Sequence, residues 1–187
     1  MYGLVNRALE ELIIEKYGEE KWAETRKKAR VEVEAFISNE PYPDDVTYHL
    51  VGAAHDILGF RVSDLMHEFG VRWMTKTAQE NFGALLRAAG ASLKEFLLNL
   101  PQFHAKVQLI YPKLRPPEFK CSDVGEDSLR LHYFSYRPGL VDFVAGLLDG
   151  LGEVYGALVT VTLLEAKAKG ADHDVFEVKW ISRAKSP

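Results

Sequence analysis

Tyr133, Ser135 and Arg137 alternate with Phe134 and Tyr136, so an extended chain here carries a phenol, a hydroxyl and a guanidinium on one face. Pro138 biases Arg137 toward the extended conformation that keeps this alignment. The three groups are donors suited to carboxylates: arginine meets one bidentately, while tyrosine and serine donate to the remaining lone pairs. A buried dianionic ligand needs such a clamp, because carboxylates taken out of water must be paired and hydrogen-bonded. A haem, with its two propionates, has that chemistry. On alternation alone the same stretch also describes an ordinary strand with a solvated polar edge.

Other chemistry is limited by what the chain contains. Its single cysteine, Cys121, excludes an internal disulfide, a Cys-x-x-Cys zinc site and a two-thioether haem attachment. No Walker loop, GxSxG elbow or HExxH helix is present. Lys and Arg number 23 against 27 Asp and Glu, a net charge of -4, and no basic stripe interleaves with aromatics, so nucleic acid is not an expected partner. With 187 residues, 47% of them hydrophobic, one domain spanning 1–187 is expected. Met1 to Glu20 is mixed in charge, and the longest apolar stretch, near Leu140 to Leu151, is broken by Asp142 and Asp149. The expectation is a cytoplasmic protein that neither spans nor binds a membrane.

The elements that must position these residues fall into two regimes. Val5, Ala8, Leu9, Leu12 and Ile13 recur at three- and four-residue spacing, predicting an opening helix that Gly18 ends. Helical pattern continues over Glu20–Lys28, Asp45–Leu58, Val62–Phe69, Arg72–Asn81 and Phe82–Ala89, with Gly59, Gly70 and Gly90 as stops. Ser92 with Glu95 forms a capping box, and Pro101 suits the first position of a separate short helix carrying Gln102–Ile110. Lys113–Phe119, with Pro116 and Pro117 adjacent, reads as a stiff extended connection. Beyond it the period changes. Ser128–Arg137 alternates as a strand, Leu140–Leu151 returns to helix, and Ala157–Ala166 with Val175–Ser182 reads as a hairpin around Gly170. The fold class is therefore α+β: a mainly helical N-terminal two-thirds packed with a C-terminal antiparallel sheet and an inserted helix.

Tyr133-x-Ser135-x-Arg137 resembles the propionate-binding signature of H-NOX domains, the haem nitric oxide/oxygen-binding family that includes the beta subunit of soluble guanylate cyclase. The resemblance extends to Met1-Tyr2-Gly3-Leu4-Val5-Asn6, Asp45-Val46-Thr47-Tyr48-His49-Leu50-Val51, Leu114-Arg115-Pro116-Pro117 and Arg137-Pro138-Gly139-Leu140, in the expected order. It covers essentially the whole chain and is nearest to the cyclase and cyanobacterial branch.

The resemblance implies a non-covalent haem b between the helical and sheet parts, with His104 as the only protein ligand to iron. Neutral imidazole is a good iron ligand. It further implies Val5 and Leu147 against the porphyrin face and Pro117 on its proximal side. Oxygen-binding members carry a distal tyrosine where this chain has Phe143, which has no donor for O2, and Trp73 resembles a second distal residue. The implied function is a sensor that binds NO and CO, excludes stable O2, and signals by breaking the iron to His104 bond. Its implied partner is a histidine kinase or cyclase, and the chain itself is not an enzyme. Two other classes stay open, a peroxidase-like haem enzyme, which needs a distal acid–base group, and a haem-free scaffold or ligand-binding domain.

Overall fold

The computed structural model describes residues 1–182 and divides the chain into two compact units, Met1–Phe69 and Gly70–Pro187. The first unit is built on α1 (Gly3–Ala29) and α2 (Asp44–Leu58). Ala8, Leu9, Leu12 and Ile13 of the predicted stripe are buried, and Val5 at its start is half-buried. Leu50 and Ala54, on the buried side of α2, complete this core with no exposure at all. Gly18 does interrupt the helix, at φ 85° and ψ 166°, but helical geometry resumes at once, so the segment expected separately at Glu20–Lys28 is the second half of α1. Glycine reaches that left-handed backbone without the steric cost a side chain would add. One polar pair is sealed inside: the Thr47 hydroxyl donates to the Asn6 side-chain oxygen at 2.6 Å, and both residues are buried.

Helix α3 (Val62–Arg72) leads into the second unit. Gly70 does not stop it. The helix continues through a five-residue π-turn, Trp73–Thr77, into α4 (Ala78–Ala89), so the two helices expected at Arg72–Asn81 and Phe82–Ala89 are one run. The reason lies in packing: a Cβ on Gly70 would stand 2.2 Å from the Phe143 carbonyl oxygen and 2.7 Å from the Leu147 nitrogen. Gly70 is thus a point of close backbone approach. α5 (Leu93–Leu98) opens on the expected cap, with the Ser92 hydroxyl accepting from the Glu95 N–H, and α6 (Leu100–Ile110) follows after Asn99 with Pro101 in its first turn.

Four strands form an antiparallel sheet in the order β1-β2-β4-β3: β1 (Glu118–Ser122), β2 (Ser128–Phe134), β3 (Ala157–Glu165) and β4 (Asp174–Ser182). β2 and β3 both run antiparallel to β4, so they are parallel to each other, and α7 (Val141–Tyr155) is the crossover between them. Leu129, Leu131 and Tyr133 point inward from β2, with Phe176 and Val178 of β4 beside them, which is the period-two burial expected from the sequence. β1 was not expected as a strand, and β2 stops at Phe134, three residues earlier than the alternation suggests. Among the described residues no helix is long and apolar enough to cross a membrane.

Gly70→Ala should cost about 1–3 kcal/mol, the usual range for overpacking, because the new methyl meets backbone that has no rotamer to move. Gly52→Ala, exposed in α2 with nothing within 4 Å of the added Cβ, should instead stabilise by about 0.5–1 kcal/mol. Urea unfolding midpoints of the two variants should therefore move in opposite directions.

Candidate functional site

Leu100, His104 and Val107 fall at i, i+4 and i+7 of α6, which puts the imidazole on the same face as two buried apolar anchors. The ring stacks on Phe119 of β1, with centroids 5.5 Å apart and planes 19° from parallel, and Phe103 leans on it at 5.7 Å. Some of the residue's surface stays accessible, but Nδ1 is fully sealed and has no hydrogen-bond partner. Burial of the ring depresses its pKa to about 4. At neutral pH His104 is therefore an uncharged imidazole, the form that ligates a metal.

The stack continues across the sheet. Phe119 pairs with Tyr133 in the β1–β2 register, and their rings meet at 5.3 Å and 37°. Tyr133 is buried, and its phenol is pushed above the usual tyrosine range, chiefly by that burial and further by Asp174, against the opposing effects of a hydrogen bond with Ser135 and of Arg137. Ser135 and Arg137 lie beyond the end of β2, in a turn, so the expectation of three groups on one strand face fails in its geometry. The cause is local: the Ser135 hydroxyl accepts the Arg137 backbone N–H at 3.1 Å, a bond that competes with strand pairing. The turn nevertheless keeps the three together. Arg137 Nη1 donates to the Arg115 carbonyl at 3.0 Å, which ties the guanidinium to the connection holding Pro117, itself half-buried at the entrance to β1.

A second group of predicted residues assembles around α7. Phe143 and Leu147 are one turn apart on this helix, half-buried, while Val144, Leu148 and Leu151 beside them are buried. Trp73, the first residue of the π-turn, meets Phe143 edge-on, with centroids 6.4 Å apart and planes at 70°. The close approach at Gly70 is repeated at Gly150, where a Cβ would lie 2.9 Å from both the Met74 Cβ and the Val71 oxygen. These glycines set where the two rings stand. Val5 belongs to the first unit, half-buried on α1.

A neutral imidazole, a phenol–hydroxyl–guanidinium turn and half-buried apolar rings are a donor set that fits a haem: one iron ligand, partners for two propionates, and packing surface. Among the described residues no group of three or more His, Cys, Asp or Glu could hold a metal ion by itself. Phe119 is the participant that sequence reasoning missed. It lies two residues past Pro117, but nothing in its spacing marks it as the partner of His104.

In protein prepared without haem, the depressed His104 pKa should make stability depend on pH. Between about 6.5 and about 4 the unfolded chain binds a proton that the folded chain does not, so the unfolding free energy should fall as pH is lowered through that window. Denaturation of His104→Phe, which has no proton to take up, should show a shallower slope over the same range.

A family model described as Haem-NO-binding matches residues 2–163, a span that includes parts of both units. Soluble guanylate cyclase gcy-31 of Caenorhabditis elegans is 31% identical over 88% of this chain, and gcy-37 of the same organism 30% over 96%. The chain spans only about a quarter of these relatives, 24% and 27% of their lengths. The fold is that of solved H-NOX proteins: one from S. oneidensis in the Fe(II)NO ligation state has a TM-score of 0.88 at 18% identity, covering 97% of this chain and 100% of that one. An Fe(II) unliganded H-NOX protein from K. algicida has a TM-score of 0.87 at 20% identity, with 100% of both chains covered.

Proposed function

The chain belongs to the haem-NO-binding family, and on that premise we propose that residues 1–187 act as one sensor domain that holds a non-covalent haem b through His104 and reports nitric oxide. Domains of this family are haem-based gas sensors related to soluble guanylate cyclase. The observation that carries the reading for this chain is the state of His104. With Nδ1 walled in, Nε2 is the nitrogen available to a metal. Metal-bound histidines usually donate their other N–H to an acceptor, which raises ligand basicity; Nδ1 of His104 meets none, so the imidazole is a weaker donor than usual. A weak tie suits a bond meant to be released.

Arg137, Ser135 and Tyr133 would supply the cation and hydroxyl donors for the propionates, and Pro117 and Leu147 would supply apolar packing. Held by His104, a ferrous haem would supply the chemistry that binds small diatomic ligands such as NO and CO. Phe143 offers such a ligand no hydrogen bond, which disfavours O2, whose retention depends on a donor. Trp73 beside it shapes the same wall. Were His104 released from such a metal, α6 would still be held at buried Leu100 and Val107, so α6 would be the element from which a change is passed on. The receiver is a histidine kinase or cyclase that distinguishes the two states, and the domain works as a cytoplasmic sensor, not a catalyst.

His104→Gly should lose haem or bind it far more weakly, and added imidazole should restore a histidine-ligated ferrous spectrum. Full haem retention in this variant without imidazole would assign the iron to another residue. Arg137→Ala should speed haem loss more than Tyr133→Phe, since it strands a carboxylate without its cation while the latter removes one hydroxyl.

Reduced protein should shift its Soret band on addition of NO or CO, and in air it should oxidise without a lasting oxygen complex. Phe143→Tyr should slow O2 dissociation. A persistent oxygen complex in the wild type would mean that a donor other than residue 143 reaches the ligand, and a purified haem-replete preparation with no Soret band would end the sensor reading.

A further inference from the structure

The turn that carries Ser135 and Arg137 has a support outside the Tyr-x-Ser-x-Arg motif. Lys167, at the start of the 3-10 turn Lys167–Lys169 between β3 and β4, donates from Nζ to the Ser135 carbonyl oxygen at 2.9 Å. Its own backbone N–H donates to Asp174 Oδ1 at 2.8 Å. Asp174 is a buried carboxylate that stands opposite Tyr133 in the β2–β4 register. The motif strand and the 167–174 segment are thus laced together at this end of the sheet: Asp174 beside Tyr133, Lys167 on Asp174, and Lys167 again on Ser135.

We propose that Lys167, anchored by Asp174, is a positioning residue and second cation of the propionate clamp: its bond to Ser135 holds the turn that presents the Ser135 hydroxyl and the Arg137 guanidinium. This rests on the haem reading above. Ser135 is the pivot of the turn, since its hydroxyl takes the Arg137 N–H while its carbonyl takes Lys167. Removing the lysine leaves the turn with one tie fewer on the side away from Arg115, where Arg137 is otherwise fastened. The charge matters as well as the bond. Asp174 adds a buried carboxylate next to a place meant for two more, and Arg137 alone is one cation against three; Lys167 narrows that imbalance.

Lys167→Met keeps the length of the side chain and removes both the charge and the donor, whereas Lys167→Arg keeps both. Two measurements on the full chain as purified separate the alternatives: amide hydrogen exchange at Tyr136 and Arg137, and the rate of haem transfer to a scavenging apo-globin. In Lys167→Met, exchange at these amides should quicken and haem transfer should rise about three- to tenfold, the range one ordinary net hydrogen bond commands, with Lys167→Arg close to wild type. Asp174→Asn, which removes the anchoring charge while keeping an acceptor oxygen, should move both readouts in the same direction by less. Unchanged exchange and unchanged haem transfer in Lys167→Met, while Arg137→Ala sheds haem quickly, would overturn the role of Lys167 and leave the propionate reading standing. If Arg137→Ala also transfers haem at the wild-type rate, both fall.

Discussion

Much of the second unit depends on two backbones touching. Between residues 70–74 and α7 there is no room for a side chain at Gly70 or Gly150, where an added Cβ would come within 2.2 Å and 2.9 Å of backbone oxygens. Packing this close fixes one segment against the other with little freedom to slide, since displacement by even a methyl group is felt in a close-packed interior. Trp73 and Phe143 take their edge-on arrangement from that contact. The two rings proposed to line the gas site are therefore placed by glycines.

On the other side of the second unit the organising feature is a row of rings. His104, Phe119 and Tyr133 come from α6, β1 and β2, and each packs on the next. The candidate iron ligand and the first residue of the candidate propionate motif are joined through one phenylalanine. A change in the tilt of His104 has a direct mechanical route to Tyr133, and from there to the Ser135 turn. Apolar stacking also explains why His104 is neutral: nothing around it offers a charge to stabilise the imidazolium, and burial penalises the cation.

The sequence made the helix faces, the capping box at Ser92 and the antiparallel C-terminal sheet legible, because each leaves a periodic or positional mark. What it hid has physical reasons. β1 is five residues long, with Glu118 and Lys120 exposed and Phe119 buried, too short for alternation to stand out. The end of β2 was misplaced because a serine hydroxyl captures a backbone N–H, an event that hydrophobic patterning does not encode. Gly70 read as a stop because a glycine's type does not say whether it serves a turn or a close approach. The grouping of Tyr133, Ser135 and Arg137 was legible, though for a reason that proved only half right, and the place of His104 rested on family resemblance, not on its spacing.

The π-turn at Trp73–Thr77 stores one residue more than an unbroken α-helix would need to cover the same rise. Counting on a single helical wheel from Val62 to Ala89 consequently goes out of phase at its middle, by about 100°. In any relative built with plain α-geometry through this stretch, the residues before and after Trp73–Thr77 correspond to this chain with offsets that differ by one. A comparison that opens no gap there misassigns residues on one side of the turn, so correspondence between one member and another has to be traced through space, not along the letters.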